Sequence, residues 1–382
     1  MKKDYLILFK HTVIYGLGKS STQIAAFLLL PIYTRVLTPS DYGILSLVGF
    51  FAAIMGNIFG LGTSTSIFRF YQISDNVQKK NEACYSTLIL VSLWTIIVLA
   101  FLFPMKNYIS VLLFDKAEYG TYVMIGLFTT AFSGLSQIPL SLLRAEEKSS
   151  LFVINNLFQM FLRVTLGLTF VVILKRSSLG ALEASLITSI IFTTYLLLYR
   201  IRKTNFGFNF QILIKILRYG LPLVIHGFGW MIMSASDKYF LNEYSTLDQV
   251  GIYSIGYTMG YAIMIIVGAF NNAWPQMMFA YSEKDEAGLF YGKSLTYYIT
   301  ILGLIWVAGT LFSKEIVMLM TAEKFWEAYR VIPFIMLAYI FHGALSITSS
   351  GIYAKDKTYN DLILTPIIAI ICLVLNFIFI PK

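Results

Sequence analysis

Eleven apolar runs, each close to the roughly 20 residues that a helix needs to cross about 30 Å of hydrocarbon, fill most of this chain. They lie at 12–36, 42–68, 85–103, 119–143, 150–174, 179–199, 219–241, 250–280, 291–312, 331–353 and 362–380 of 382 residues. A composition of 57% hydrophobic and 13% charged residues, with 31 Phe and 25 Tyr, fits no chain of this length dispersed in water. The fold class that follows is an all-α polytopic membrane protein. The longest run, 250–280, predicts a tilted span or one kinked near Pro275.

The runs are not independent of one another. Thr38-Pro-Ser-Asp-Tyr-Gly-Ile-Leu-Ser46 returns 208 positions later as Thr246-Leu-Asp-Gln-Val-Gly-Ile-Tyr-Ser254, with Thr, Gly, Ile and Ser in phase. A second echo, at an offset of 209, pairs Ala145-Glu-Glu-Lys-Ser149 with Ala354-Lys-Asp-Lys-Thr358. Two echoes in register describe one unit present twice. Six runs separate equivalent points, an even number, so the copies enter the membrane from the same side and form a parallel repeat. The expected architecture is two helical lobes around a central cavity, an N-terminal lobe over 1–208 and a C-terminal one over 209–382. Subtracting the offset leaves the sixth run without a second copy, which predicts a twelve-span plan with about eleven present and a further span beyond Lys382. Residues Asn209–Arg218 carry helical apolar spacing at Phe210, Leu213, Ile214 and Leu217. They predict a linker helix lying on the interface or, alternatively, an extension of the seventh span.

The net charge of +9 in a soluble protein would suggest a nucleic-acid partner, but here it sorts by side of the membrane. Of 29 Lys and Arg, seventeen fall in loops on the side of the N-terminus, ten on the other side and two inside spans. This places the N-terminus in the cytoplasm and leaves no nucleic acid to invoke. The first run follows a short basic segment but is too long for a signal peptide and shows no small-residue cleavage pattern, so it reads as an uncleaved span. Cys84 and Cys372 have no motif spacing and read as free thiols.

No catalytic, metal or cofactor motif emerges, and the loops are too short for a folded catalytic domain, so an enzyme is not expected. Gly18-Lys19-Ser20 resembles the tail of a phosphate-binding loop only superficially, since Val13 stands where the first Gly would fall. What does stand out is charge in the wrong solvent. Lys19 in the first run and Arg163 near the middle of the fifth each cost roughly 2.5–3.5 kcal/mol on insertion scales. Each lies on a polar stripe, Thr12, Tyr15, Lys19 and Gln23 in one case and Asn156, Gln159 and Arg163 in the other. A third stripe, His226, Trp230, Ser234 and Asp237, marks the seventh run, with weaker ones at His342, Ser346 and Ser349 and at Asn271, Asn272 and Gln276. Such stripes face protein or water rather than lipid. The candidate cavity residues are therefore Lys19, Gln23, Asn156, Gln159, Arg163, His226 and Trp230, with Arg69 and Asp237 as candidate gating residues. Some of these have structural alternatives: snorkelling or a bond to a neighbouring helix for Lys19 and Arg163, and an interhelical hydrogen bond for His226, while Asp237 with Lys238 reads as a structural or gating pair. Gly56-x-x-x-Gly60 and Gly256-x-x-x-Gly260 read as close-packing surfaces.

The segment Leu30-Pro-Ile-Tyr-Thr-Arg-Val-Leu-Thr-Pro-Ser-Asp-Tyr-Gly-Ile-Leu-Ser-Leu47 resembles the opening of Wzx-type polysaccharide flippases, members of the multidrug/oligosaccharidyl-lipid/polysaccharide (MOP) exporter superfamily. Ser66-Ile-Phe-Arg-Phe-Tyr71, Asp237-Lys-Tyr-Phe-Leu241 and Val250-Gly-Ile-Tyr-Ser254 are similar to that family in order and spacing. The resemblance implies two six-helix lobes in a V, a cavity flanked by spans one, two, seven and eight, and a place in the bacterial inner membrane. It also implies alternating-access movement of an undecaprenyl-diphosphate-linked oligosaccharide from the cytoplasmic to the outer leaflet, for O-antigen, capsule or exopolysaccharide assembly. The expected partners are that glycan and the lipid bilayer, with H+ or Na+ as candidate coupling ions and polysaccharide assembly proteins as candidate associates. A buried Lys and Arg can neutralise a diphosphate. Two other readings stay open, an ion-coupled drug or metabolite exporter of the same superfamily and a polytopic glycan polymerase or glycosyltransferase. Export of cationic drugs would favour a deep acidic residue, and the acidic candidates within spans, Glu183 and Asp237, fall near span ends.

Overall fold

The computed structural model describes residues 23–74, 76–281, 286–350 and 359–381, and among these every regular element is helical. The helices are α1 Gln23–Val36, α2 Pro39–Gly60, α3 Thr63–Ile73, α4 Val77–Leu102, α5 Lys106–Phe114, α6 Gly120–Ala145, α7 Ser149–Gly167 and α8 Ser177–Lys203. The second part of the chain adds α9 Phe210–Tyr244, α10 Leu247–Tyr261, α11 Met264–Tyr281, α12 Ala287–Leu311, α13 Ser313–Met320, α14 Ile332–Thr348 and α15 Tyr359–Phe379. Each of the eleven apolar runs falls on a helix where it is described. Among the described residues, seven helical stretches are long and apolar enough to cross a membrane, or nine if two bent pairs each count as one span. The side chains agree with that solvent: Leu93, Ile96, Ile97 and Phe101 are all exposed on one face of α4, a surface suited to lipid.

Local chemistry explains where the helices start. Thr38 and Asp41 form a reciprocal cap, in which the Thr38 N–H and hydroxyl donate to Asp41 Oδ2 at 2.9 and 2.8 Å and the Asp41 N–H donates to Thr38 Oγ1 at 3.1 Å. The cap opens the first copy of the repeat motif. Asn76 and Asn209 cap α4 and α9, each accepting two backbone N–H groups. Between α2 and α3, Leu61 and Gly62 take φ of 48° and 66°, which breaks the helix without ending the span.

Cα packing divides the chain into two compact units, one of Met1–Gly43 with Asp248–Ile363 and one of Ile44–Leu247 with Leu364–Lys382. This division does not follow the 208/209 line between the sequence copies. In the first unit Leu30 joins a core of Ile255, Met259, Trp274, Phe325 and Met336. There the two repeat motifs meet directly, because a Cβ on Gly251 would sit 1.9 Å from the Pro39 carbonyl oxygen and 3.1 Å from the Gly43 nitrogen. In the second unit α6 is the central helix, and Gly126 lets it close on Val48 of α2. Ile67, Cys84, Leu88, Val91, Ile138 and Leu142 form a core there. The start of α9 packs into the same unit through Ile212 and Ile216 against Ala83 and Phe70. Gly62 and Gly220 meet backbone to backbone, a Cβ on Gly220 standing 2.6 Å from the Leu61 carbonyl oxygen.

These contacts decide between the two readings of Asn209–Arg218. It is the continuous beginning of the 35-residue helix α9 and not a separate linker helix, with Ile212 and Ile216 buried against Phe70 of α3 and Ala83 of α4 while Phe210 and Ile214 stay exposed. The expected kink near Pro275 is also corrected. The bend, 42°, falls at Ala262 and Ile263 between α10 and α11, while Pro275 lies inside α11. At the bend Ala262, Ile263, Ile265 and Ile266 donate to carbonyls three residues back, the tighter 3-10 pattern. Of the two glycine pairs, Gly256 and Gly260 do form a close-packing surface. Their added Cβ atoms would meet the Ala328 carbonyl oxygen at 2.5 Å and Ile335 Cβ at 2.8 Å. Gly56 and Gly60 do not, since the first has an ordinary 3.6 Å neighbour and the second has open space. Cys84 and Cys372 are free thiols.

Candidate functional site

At 100° per residue Asn156, Gln159 and Arg163 fall within about 60° of one another around α7. Phe158, whose ring meets Tyr195 of α8 at 5.7 Å, lies on another side of the helix. The buried residues of α7, Ser149, Phe152, Asn155 and Gly167, lie on the same side of the helix as the polar stripe, opposite the exposed Leu151, Ile154, Leu157 and Phe161; within the stripe Asn156 and Gln159 are half-buried and Arg163 is exposed. Asn156 Nδ2 donates to the Phe152 carbonyl at 2.7 Å, so its amide is anchored to its own helix. The 25-residue span Ser149–Ile173 puts Arg163 about 21 Å from its start.

The α9 stripe also occupies one side of its helix, with His226 and Trp230 exposed and Ser234 and Asp237 partly buried. Neighbouring positions are taken up by packing. A Cβ on Gly227 would strike Asn57 Oδ1 at 2.1 Å, one on Gly229 would strike Thr365 Cγ2 at 2.6 Å, and Asn376 Nδ2 donates to Ser236 Oγ at 3.0 Å. These three contacts fix α9 against α2 and α15, so His226 and Trp230 are held between docked glycine faces. The Lys238 backbone N–H donates to Asp237 Oδ1 at 2.9 Å. Arg69 of α3 stacks over the Tyr219 ring at 4.4 Å, which ties this candidate gate to α9 in the same unit.

Sequence reasoning missed a charged cluster at the end of the second unit where α3, α6 and α8 terminate. Arg200, 4% exposed, makes a short charge-assisted bond to Glu146. Lys148 Nζ reaches the other carboxylate oxygen at 2.6 Å, and Tyr71 donates its hydroxyl to Glu146 Oε1 at 2.9 Å. The Tyr71 ring carries Lys80 at 4.7 Å and Arg200 at 5.9 Å, and Gln72 Nε2 donates to the Ala145 carbonyl. Arg200 Nε and Nη2 have no acceptor among the described residues, so the carboxylate and the ring carry its compensation. The signal was present, because Glu146 and Lys148 belong to the second repeat echo and Tyr71 to one of the family-like motifs.

Burial pushes the Glu146 carboxyl up, but hydrogen bonds from Lys148 and Arg200, the Arg200 charge and the Tyr71 hydroxyl outweigh it and hold the group below its ordinary value. A carboxylate depressed in the folded state adds stability that is complete above its unfolded pKa, about 4.3, and disappears as pH falls through the lower folded value. The expected result is that Glu146→Gln lowers the melting temperature in detergent at neutral pH and that the gap to the parent protein narrows on acidification below about pH 4.3. A gap constant with pH would refute this account.

Of the remaining sequence candidates, Lys19 lies outside the described residues. Gln23 is exposed on α1 and belongs to the first unit, whereas Asn156, Gln159, Arg163, His226, Trp230, Arg69 and Asp237 belong to the second. Among the described residues no three His, Cys, Asp or Glu side chains are grouped to hold a metal ion.

A sequence-family profile described as "Polysaccharide biosynthesis protein" matches residues 8–278. The "Lsg locus putative protein 1" of Haemophilus influenzae is 25% identical over 284 residues, which cover 70% of this chain and 64% of that protein. The match thus spans less than two thirds of that relative. Among solved structures, an inward-facing multidrug resistance MATE family transporter of the MOP superfamily superposes with a TM-score of 0.73 at 18% identity, over 90% of this chain and 83% of its own. A MOP superfamily transporter from Pyrococcus furiosus, described as having a binding pocket of reversed polarity, gives 0.64 at 16% identity over 98% and 89%. At such identities these structures speak for the fold.

Proposed function

Because the chain belongs to the family of polysaccharide biosynthesis proteins and has the all-helical fold of MOP superfamily transporters, we propose that it moves an undecaprenyl-diphosphate-linked oligosaccharide across the bacterial inner membrane. In this reading the N-terminus is cytoplasmic and the glycan passes from the cytoplasmic to the outer leaflet by alternating access, with H+ or Na+ as the coupling ion. Lys19 and Arg163 neutralise the diphosphate, while Gln23, Asn156, Gln159, His226 and Trp230 present hydrogen-bonding and aromatic surface to the sugars. Arg69 and Asp237 act at the gates.

The observation that carries the reading is Arg163, a cation about halfway along a membrane-crossing helix, on the same stripe as two carboxamides. A guanidinium at that depth is retained against its insertion cost, and a bidentate anion such as a phosphate is the ligand its planar fork matches. The family match favours a polysaccharide precursor over other anions.

Reconstituted flipping of defined lipid-linked oligosaccharides tests the proposal. Arg163→Ala is expected to lose transport with membrane abundance unchanged, Arg163→Lys to keep a part of it, and Lys19→Arg to be tolerated better than Lys19→Ala. Parent-like rates in both alanine variants, normalised to folded protein, would remove the cationic site from the mechanism. Uptake of a cationic dye without oligosaccharide flipping would instead point to a drug exporter.

A further inference from the structure

The connection between α8 and α9 runs Thr204-Asn-Phe-Gly-Phe-Asn209 and leads into Phe210, the first residue of α9. Thr204 and Asn209 are extended, with φ and ψ of −134° and 142° and of −144° and 110°. In extended backbone alternate residues point to opposite sides. Gly207 and Asn209 point inward onto α4. A Cβ on Gly207 would lie 2.9 Å from Glu82 Cγ, Asn209 Nδ2 donates to Glu82 Oε2 at 2.9 Å, and the Asn209 N–H donates to Ser86 Oγ at 2.9 Å. Phe206, whose ring meets Tyr85 of α4 at 5.2 Å between centroids, and Phe208 and Phe210 nonetheless leave most of their surface open, being 73%, 51% and 64% exposed. Two of these large apolar rings sit outside any span, yet between one ending at Lys203 and one beginning at Phe210.

The charges around this loop are unbalanced for a structural reason. Glu82 is engaged by Asn209 and Gln78, and Glu146 by Arg200, Lys148 and Tyr71. With Glu82 and Glu146 turned to internal use, this end of the unit exposes Lys79, Arg202, Lys203 and Lys215, against Glu147 as the exposed acid among the described residues. Exposed Ile73 and Val77 extend the apolar part onto the neighbouring α3–α4 connection.

We propose that this surface is a membrane-interface anchor, in which Phe206, Phe208 and Phe210 enter the headgroup layer and the surrounding Lys and Arg side chains bind anionic phospholipid headgroups. Aromatic rings are favoured at that depth, and each basic group near an anionic leaflet adds about 1 kcal/mol, or about fivefold in affinity. The rigid strapping of the loop to α4 holds the rings exposed in advance, so little ordering entropy is lost on binding. The anchor is independent of which substrate the protein carries.

The test uses the full chain in neutral detergent, titrated with phosphatidylglycerol or phosphatidylcholine and followed by melting temperature. Phosphatidylglycerol is expected to stabilise the parent protein at lower concentration than phosphatidylcholine, and Arg202→Gln and Lys203→Gln to weaken that preference about fivefold each, with unchanged melting in its absence. Raised salt should act in the same direction. In vesicles with brominated acyl chains, Phe208→Trp should add quenchable fluorescence beyond that of the five native Trp residues. Equal response to the two lipids, or a preference untouched by both charge substitutions, would overturn the proposal, as would a Trp at 208 that lipid bromine does not quench. Reproduction of the phosphatidylglycerol effect by inorganic pyrophosphate would mark an anion site and equally refute a lipid anchor.

Discussion

Gly251→Ala is expected to abolish accumulation of folded protein. The added Cβ would lie 1.9 Å from the Pro39 carbonyl oxygen and 2.7 Å from its carbon, and both are backbone atoms that no rotamer change can move aside. Pro39 is itself immobilised, because it stands inside the reciprocal Thr38–Asp41 cap at the start of α2. Relief would require α10 to move away from that segment as a body, and overpacking a close contact already costs roughly 1–3 kcal/mol where side chains alone must adjust. Gly268→Ala is the matched control, since nothing lies within 4 Å of its added methyl and Ala is the better helix former. Size-exclusion profiles of detergent-extracted protein would read both variants. A monodisperse Gly251→Ala peak of parental height would show that the contact yields.

A second large effect is expected at the Glu146–Arg200 pair, and it should be asymmetric. Glu146→Ala strands a guanidinium whose side chain is 5% exposed, a situation that typically costs 3–5 kcal/mol. Arg200→Met leaves Glu146 still bonded to Lys148 and Tyr71 and with more access to water, so it should cost clearly less. Combining Glu146→Leu with Arg200→Met removes both charges, and the double variant should be more stable than Glu146→Ala alone. Denaturation midpoints in a mild detergent give the ranking. An Arg200→Met loss equal to or above that of Glu146→Ala would mean that the pair is not the unit that stabilises this end of the helices.

Helices and their polar faces were legible in the sequence because hydrophobicity and period are local properties. The Asn156–Gln159–Arg163 and His226–Trp230–Ser234 stripes need only the 3.6-residue repeat to be found, and the structure keeps each on one side of its helix. The Glu146–Arg200 pair was not legible, since 54 residues separate the partners and each alone looks like an ordinary charge near a span end. The bend near Ala262 was misplaced for a related reason. Proline is the visible cause of a kink, but this bend sits beside Gly256 and Gly260, whose tight docking on Ala328 and Ile335 cannot be read from α10 alone. Glycine spacing was equally ambiguous, because the same G-x-x-x-G pattern met backbone in one copy and open space in the other.

The elbow between α10 and α11 differs in kind from one made by proline. A proline removes an amide donor permanently and sets its ring against the preceding turn, so the kink is written into the covalent chain. Here Ala262, Ile263, Ile265 and Ile266 keep their donors and have only exchanged a carbonyl four residues back for one three residues back. Exchanging them again would straighten the rod while each of these four donors keeps a carbonyl partner, which in a medium without water is what favours a reversible change of backbone shape.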